Sequence, residues 1–173
     1  MRVASVLKLV APETSDREVI FTFFSTFSLF ECALKRTRYI RKVNPKAKDR
    51  SAHPDWDRFA KDLEGRFRVV SDLTFHAAVG ALKAAPPKKQ IVVNDRLQWQ
   101  VQVPGPGETD EAYVLRLVRT VRNNLFHGGK HPSPDGPILE SARDHALLEQ
   151  CVLILDTCIR LWPDLAGAIE DVA

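Results

Sequence analysis

The sequence predicts an all-α fold, a bundle of four or five helices with one small inserted β-hairpin. Apolar residues recur at three- and four-residue steps along most of the chain, and this period is typical of helices packed on a core. Only around residues 90–103 do apolar and polar residues alternate, which indicates short strands. A chain of 173 residues has room for one domain. We therefore expect residues 1–173 to form a single helical domain.

The first long helix is predicted to run from about Ser15 to Val43. Ser15 is followed three residues later by Glu18, which is the spacing of a capping box. The helix then carries a wide apolar stripe, formed by Ile20, Phe23, Phe24, Phe27, Phe30 and Leu34. A stripe of this kind is far more often core than ligand site, so we expect this helix to anchor the core.

Two shorter helices are predicted after a polar linker. The first begins near residues 54–55 and continues through Gly65, with an apolar face formed by Trp56, Phe59, Leu63 and Phe67. The second is capped by Ser71 or Asp72 and ends before a pair of prolines.

The inserted hairpin is predicted over about residues 90–103, with Asn94 and Asp95 in its turn. Its alternating apolar residues are Leu97, Trp99, Val101 and Val103. Because a two-stranded hairpin is marginally stable alone, we expect it to pack on the helices.

The fourth helix is predicted to begin after a Thr109 cap and to run to His127. Glycines 128–129 follow and permit the left-handed backbone that commonly ends a helix. The last long helix spans about residues 139–161, and a short turn lies beyond Pro163.

The cysteine content argues against a disulfide scaffold. The three cysteines are Cys32, Cys151 and Cys158, an odd and small number. On one helix the last two lie about 10 Å apart along the axis, whereas a disulfide needs Cα atoms within about 7 Å. The sequence also contains no long apolar span and no secretory signal pattern. We expect a cytoplasmic protein that does not associate with membranes.

The most informative segment closes the fourth helix and reads Arg122-Asn123-Asn124-Leu125-Phe126-His127-Gly128-Gly129. Arginine is a permanent cation whose planar fork suits phosphate oxygens, and histidine exchanges protons near neutral pH. The two asparagines add neutral donors and acceptors, and the glycines let a ligand approach the backbone closely. These side chains suit the cleavage of a phosphodiester.

The spacing of Arg122 and His127 complicates this interpretation. Residues five apart on a helix differ in direction by about 140°, so the two side chains flank the apolar seam on opposite sides. They converge only if the helix breaks at His127 or if a two-fold dimer supplies a second copy. For an arbitrary Arg-x4-His pair, the commoner interpretation is a histidine at a helix end and a solvated surface arginine.

Two stretches together resemble the HEPN superfamily of helical domains. In that family an arginine near the end of a helix is followed directly by a polar residue, then by three further positions, and then by a histidine. Arg122, Asn123 and His127 match this pattern. The opening helix is similar to HEPN members that carry a Phe-Glu-x-Ala-Leu-Lys stretch, matched here by Phe30, Glu31, Ala33, Leu34 and Lys35. The resemblance covers about half of the chain and leaves out the hairpin and the loop after Gly129.

The resemblance implies a metal-independent endoribonuclease that works as a homodimer with a composite cleft and needs no cofactor. The RNA 2′-hydroxyl would attack the neighbouring phosphate and leave a 2′,3′-cyclic phosphate. His127 would transfer the proton, Arg122 would stabilise the charge on phosphorus, and Asn123 would bind the phosphate. Glu31 and Asn124 are candidate supporting residues, although Glu31 is as well explained as a solvated carboxylate.

The same resemblance suggests a toxin or a stress or defence effector, with RNA as substrate and an antitoxin protein as a partner. Some HEPN toxins carry a tyrosine two residues after the histidine, which their antitoxin modifies. Gly129 stands at that position, so control by that route is not expected. The alternative function is a catalytically inactive HEPN-fold module for dimerisation or for RNA or partner binding.

A metal site is the weaker alternative for this region. His127 and His131 have the H-x3-H spacing of a metal pair, but two glycines break the helix between them. No cysteine or carboxylate cluster completes a site, and no phosphate-binding glycine loop is present. We therefore expect no metal.

The net charge of +3 conceals an uneven distribution. Residues 35–50 hold eight basic residues and one acidic residue, whereas residues 139–173 hold seven acidic and two basic ones. A basic run is usually a solvated face, but this one adjoins the helix that carries Glu31. The RNA-binding candidates are Lys35, Arg36, Arg38, Arg41 and Lys42. The near-neutral total excludes a general nucleic-acid coat.

Overall fold

A computed structural model describes residues 14–42, 44, 46, 48, 50–126 and 142–171. Within these ranges the chain forms six α-helices, one 3-10 turn and one two-stranded antiparallel sheet. The elements are α1 (Thr14–Arg36), α2 (Trp56–Asp62), the 3-10 turn (Arg66–Val69), α3 (Leu73–Ala84), β1 (Lys89–Val93), β2 (Arg96–Gln100), α4 (Asp110–Phe126), α5 (Ala142–Arg160) and α6 (Pro163–Glu170). The expected mainly helical fold with one small hairpin is confirmed. The described residues form six helices instead of the predicted four or five, because α6 stands where only a short turn was predicted and its Leu165 is buried in the core.

The helices pack around an aromatic core that sets α1 against α2. α5 packs on α1 and α3, α6 packs on α1 and α5, and α2 packs on α4. The Phe30 ring stacks on Trp56 with centroids 5.2 Å apart, and Phe59 meets both Phe30 and Tyr39 edge to face. Aromatic pairs in these geometries stabilise a core beyond the effect of their buried area. The C-terminal half of α1 is thereby fixed beside the start of α2.

The predicted extension of the first helix to Val43 is wrong, because α1 ends at Arg36. The Thr37 hydroxyl donates to the Ala33 carbonyl at 3.0 Å, which satisfies one of the last acceptors of the helix. Tyr39 is fully buried, and its hydroxyl donates to Asp62 at 3.0 Å. Burial of this ring draws the chain away from the helix axis. The cap predicted at Ser15 involves a side chain outside the described residues.

The second predicted helix is also shorter than expected. It begins as predicted after Asp55, whose carboxylate accepts from the Arg58 N–H, but α2 ends at Asp62. Gly65 has φ +76°, a left-handed conformation that breaks the helical path, and Phe67 lies in the following 3-10 turn. α3 begins after the predicted Asp72 cap, whose carboxylate accepts from two backbone N–H groups.

The hairpin is anchored to α4 at its base. Asn94 and Asp95 have φ of 50° and 59°, as a type I′ turn requires, so the predicted turn is confirmed. The strands end at Gln100, before Val101 and Val103, so the pairing is shorter than the alternation suggested. The buried Gln102 side chain donates to the Pro87 carbonyl at 2.7 Å. It thereby ties together the two chain segments that enter and leave the hairpin.

The fourth helix begins as predicted, since the Thr109 hydroxyl accepts from the Ala112 N–H. The predicted glycine stop of this helix and the predicted start of the last long helix near Leu139 lie outside the described residues. Cys151 and Cys158 are buried free thiols, and burial raises the pKa of both. No described helix has the length and apolar character needed to cross a membrane.

Candidate functional site

A cavity of about 350 Å³ lies between the C-terminal half of α1, the segment before α2, and the second half of α4. We name it the site cavity. Among the described residues that line it, four are cations, namely Lys35, Arg41, Arg119 and Arg122. The same set contains one carboxylate, Glu31. A concave surface with this excess of positive charge attracts anions.

α4 contributes three polar side chains to the site cavity. Arg119, Arg122 and Asn123 follow one another at i, i+3 and i+4, so they lie on one face of the helix. An Arg122 Nη atom donates to the Asn123 side-chain oxygen at 3.2 Å. The Arg122 guanidinium carbon also lies 5.7 Å from the centroid of the Phe27 ring. These contacts restrict the orientation of the guanidinium group.

Arg119 is a partly buried cation of the cavity. Its guanidinium carbon lies 5.6 Å from the centroid of Trp56. Burial lowers its pKa; Asp57 and Glu31 oppose that shift, and Arg41 adds to it. An arginine stays charged at neutral pH in spite of such a shift. A partly desolvated cation of this kind interacts more strongly with an anion than one in bulk water.

α1 supplies the carboxylate and one of the cations. The Trp56 indole N–H donates to a Glu31 carboxylate oxygen at 3.2 Å, which holds the side chain at the cavity wall. Lys35 follows Glu31 by four residues and lies on the same helical face. The aromatic packing of α1 on α2 thus determines where both charges lie.

The segment after α1 returns to the cavity through a short backbone pairing. The Arg41 N–H donates to the His53 carbonyl at 2.8 Å, and Ile40 forms a β-bridge with Pro54. This pairing brings the Arg41 and His53 side chains to the same rim of the cavity. His53 is exposed, so its imidazole is accessible to a ligand.

The structure gathers five of the predicted site residues in the site cavity, and these are Glu31, Lys35, Arg41, Arg122 and Asn123. Arg36 and Lys42 are exposed and lie outside its described lining. Arg38 pairs with Asp62 at 2.8 Å. The pKa of Arg38 is raised, first by its hydrogen bond to Tyr39. This guanidinium, although exposed, is therefore engaged by partners within the chain.

Asn124 and His127 are the remaining predicted site residues. Asn124 is buried, and its side-chain amide donates to the Lys88 carbonyl at 2.8 Å, on the other side of α4. It anchors the hairpin and does not line the site cavity as described. His127, the predicted proton-transfer residue, lies outside the described residues.

Sequence reasoning did not single out Arg119, Trp56 or His53 as site residues. Arg119 precedes Arg122 by one helical turn, so the helical period was a usable signal for it. Trp56 was expected in the core, and it is indeed 3% exposed, yet its ring forms part of the cavity wall. His53 lies in an irregular segment, where no local pattern indicates its neighbours.

The described residues contain no group of three or more His, Cys, Asp and Glu side chains arranged to hold a metal ion. Comparisons of the chain with protein-family models, with curated proteins and with solved structures return no match.

Proposed function

We propose that the protein is a metal-independent endoribonuclease of the HEPN type and that the site cavity holds the phosphate at which the RNA is cut. In this proposal it acts as a toxin or as a stress or defence effector. The observation that carries the proposal is the convergence of four cations and Asn123 on one concave surface beside α4. A phosphodiester is the RNA group that matches such a surface in charge and in hydrogen-bonding capacity.

The two arginines of α4 are suited to a phosphate by geometry as well as by charge. A guanidinium fork donates two parallel hydrogen bonds to two oxygens of one phosphate. Arg122 and Arg119 present such forks from neighbouring turns of the same helix. Glu31 reduces the net positive charge of the cavity without neutralising it.

The aromatic residues hold the cations and do not serve as a platform for bases. Phe27 and Trp56 are 4% and 3% exposed, so little of either ring is available for base stacking. Each ring instead lies within cation–π distance of one guanidinium. Affinity therefore comes mainly from phosphate contacts, and sequence preference must arise outside this cavity.

The chemistry assigned to the site is an internal phosphoryl transfer. The 2′-oxygen forms a bond to phosphorus and loses its proton, while the bond from phosphorus to the 5′-oxygen breaks and that oxygen gains a proton. The products are a 2′,3′-cyclic phosphate and a free 5′-hydroxyl. Arg122 stabilises the charge on the phosphoryl oxygens, Asn123 donates to one of them, and His127 transfers protons.

A homodimer completes the proposed site. Because Arg122 and His127 diverge by about 140° around an ideal helix, a second copy of α4 near a two-fold axis would bring two sets of these residues into one cleft. Sedimentation of the full chain at micromolar concentration is expected to show a dimer. A monomer under these conditions would contradict the composite site.

Cleavage in EDTA tests the proposal. Wild type, Arg122→Ala and His127→Ala are incubated with a mixture of structured and unstructured RNAs, and products are resolved by size. Wild type is expected to cut at least one RNA, and each variant is expected to be slower by at least about 100-fold. Arg68→Ala removes an exposed cation from the 3-10 turn and is expected to match wild type.

The possible failures have different meanings. If wild type leaves every RNA intact, or if Arg122→Ala cuts as fast as wild type, the nuclease proposal is wrong. Binding of RNA by wild type without cleavage, with binding lost in Arg122→Ala, would indicate the catalytically inactive HEPN-fold binding module instead.

A further inference from the structure

A second cavity, of about 400 Å³, lies on the hairpin side of α4. We name it the hairpin cavity. It shares two lining residues with the site cavity, Arg119 and Asn123, so the two cavities meet along the surface of the helix. Lys89 and Gln100 line its far side. One extended ligand can therefore contact both cavities by crossing α4 at the shared residues.

Part of the hairpin cavity is built from side chains already used within the fold. Arg116 donates to both carboxylate oxygens of Glu108, at 2.8 Å and 2.6 Å, and to the Gln102 side-chain oxygen at 2.9 Å. Thr120 donates to the same Gln102 oxygen at 3.3 Å. These residues form a rigid floor, because each hydrogen bond of the network constrains its neighbours.

Lys89 and Gln100 are placed differently, at the exposed rim of the same cavity. They are directly paired across β1 and β2, and residues opposite each other in an antiparallel pair lie on the same face. Both are exposed. They present an ammonium group and an amide, which suit a phosphate and a base edge respectively.

The fold also sets the distance between this rim and α4. Asn124, next to Asn123 in the chain, donates to the carbonyl of Lys88, which directly precedes Lys89. The buried Gln102 side chain donates to Pro87 and closes the base of the hairpin. The rim of the hairpin cavity is thus held in register with the shared residues, and it does not depend on the exposed turn of the hairpin.

We infer that single-stranded RNA crosses α4 at Arg119 and Asn123, with the cleaved phosphate in the site cavity and the adjoining nucleotide in the hairpin cavity. Lys89 contacts the phosphate of that nucleotide, and Gln100 contacts its base. The inference rests on the proposed function and gives the hairpin a role in substrate binding. A single strand fits because its bases and phosphates can enter successive concave surfaces, whereas an A-form duplex presents a deep, narrow groove that side chains cannot read.

Binding measurements with matched variants test the inference. A short single-stranded oligonucleotide pool with 2′-deoxy sugars, which cannot be cleaved by 2′-hydroxyl attack, is titrated against wild type, Lys89→Ala, Gln100→Ala and Arg96→Ala. Lys89→Ala is expected to bind about fivefold more weakly, with a salt slope smaller by about 0.7. Arg96→Ala removes the same charge from the exposed end of β2, outside both cavities, and is expected to stay within about twofold of wild type.

The outcomes separate this inference from the proposed function. If Arg122→Ala loses binding while Lys89→Ala and Gln100→Ala bind like Arg96→Ala, RNA does not enter the hairpin cavity. The phosphate site proposed in the site cavity is then retained. If wild type and Arg122→Ala bind equally, the proposed function itself fails. Equal affinity of wild type for the single strands and for a duplex RNA of the same composition would also overturn the inference. Thermal unfolding of each variant controls for loss of structure.

Discussion

The two sides of α4 use similar residues for opposite purposes. Asn123 is exposed and lines both cavities, whereas the adjacent Asn124 is buried and bonded to the Lys88 carbonyl. One side chain faces the two cavities, and the other fastens the hairpin to the helix. Residue type alone therefore does not identify a site residue, whereas the partner of its polar atoms does.

The arginines of α4 repeat the comparison. Arg116 is held by Glu108, and its hydrogen bonds are the main reason that the pKa of Glu108 lies below its usual range. Within the part of the chain that the structure describes, no carboxylate lies within salt-bridge distance of Arg119. Arg119 instead shares a cavity with other cations. Arg116 stabilises the fold, and Arg119 is available to an anion.

Among the residues that the sequence did not single out, the largest effect is expected from Arg119, which lines both cavities. Arg119→Ala should lower kcat/KM for RNA cleavage by about 100-fold, because a partly desolvated guanidinium that donates hydrogen bonds to the phosphate is lost. Arg119→Lys keeps the charge without the fork and should recover part of the activity. Arg143→Ala, which removes an exposed arginine on the other side of α4, is the control and should cut like wild type. Wild-type kinetics in a folded Arg119→Ala protein would contradict the assignment.

The adjacent asparagines give the second largest contrast. Asn123→Ala should lower kcat/KM by about tenfold with little change in stability, because one neutral hydrogen bond to the phosphate is lost. Asn124→Ala should lower kcat/KM by no more than the roughly fivefold expected for losing the Lys89 contact. It should destabilise the fold by about 1–2 kcal/mol, since the amide of the buried Asn124 no longer donates to the Lys88 carbonyl. Steady-state kinetics together with urea unfolding measure both. A larger loss of kcat/KM in Asn124→Ala than in Asn123→Ala would contradict these assignments.

The basic residues around the end of α1 provide a smaller contrast. Lys35→Ala and Arg41→Ala should each reduce the slope of log affinity against log salt by about 0.7, because each removes one phosphate contact. Arg38→Ala should leave that slope unchanged and lower stability slightly, since its partners are Asp62 and Tyr39. A salt titration of RNA binding decides between these outcomes. Equal slopes for all three variants would contradict the assignment of phosphate contacts to Lys35 and Arg41 but not to Arg38.

The smallest effect concerns the pair that stabilises the floor of the hairpin cavity. The pKa of Glu108 is lower in the folded chain than in the unfolded one. The stability that this carboxylate contributes is therefore present above about pH 4.3, the ordinary glutamate value, and is lost as the pH falls through the folded pKa. Glu108→Gln should be less stable than wild type by about 1 kcal/mol at neutral pH. Urea unfolding should show this difference shrinking in acid, and a difference independent of pH would contradict it.

Helix starts were predictable because they depend on local chemistry. Asp55, Asp72 and Thr109 each cap the helix that follows them, as their positions in the sequence indicated. Helix ends were less predictable, since they depend on distant contacts or on one backbone angle. The burial of Tyr39 and the left-handed conformation of Gly65 shortened two helices whose apolar periodicity continued.

The sequence predicted which polar residues could form the candidate site, but not which of them are bonded to other parts of the chain. Arg38 and Arg41 belong to one basic run, but Asp62, which engages Arg38, lies 24 residues further along the chain. Asn124 was indistinguishable from its neighbour in the sequence, because its acceptor belongs to Lys88, 36 residues earlier. Contacts at such separations arise from packing, and no local pattern encodes them.

The most direct test of the central claim uses one RNA in two forms. Wild-type protein is incubated in EDTA with an RNA that it cuts and with the same RNA carrying a single 2′-deoxy sugar at the cut position. Internal attack by the 2′-hydroxyl predicts that only the first is cut there, with a 2′,3′-cyclic phosphate and a 5′-hydroxyl as the new ends. Cleavage of both forms at that position, or products with a 5′-phosphate, would contradict the account.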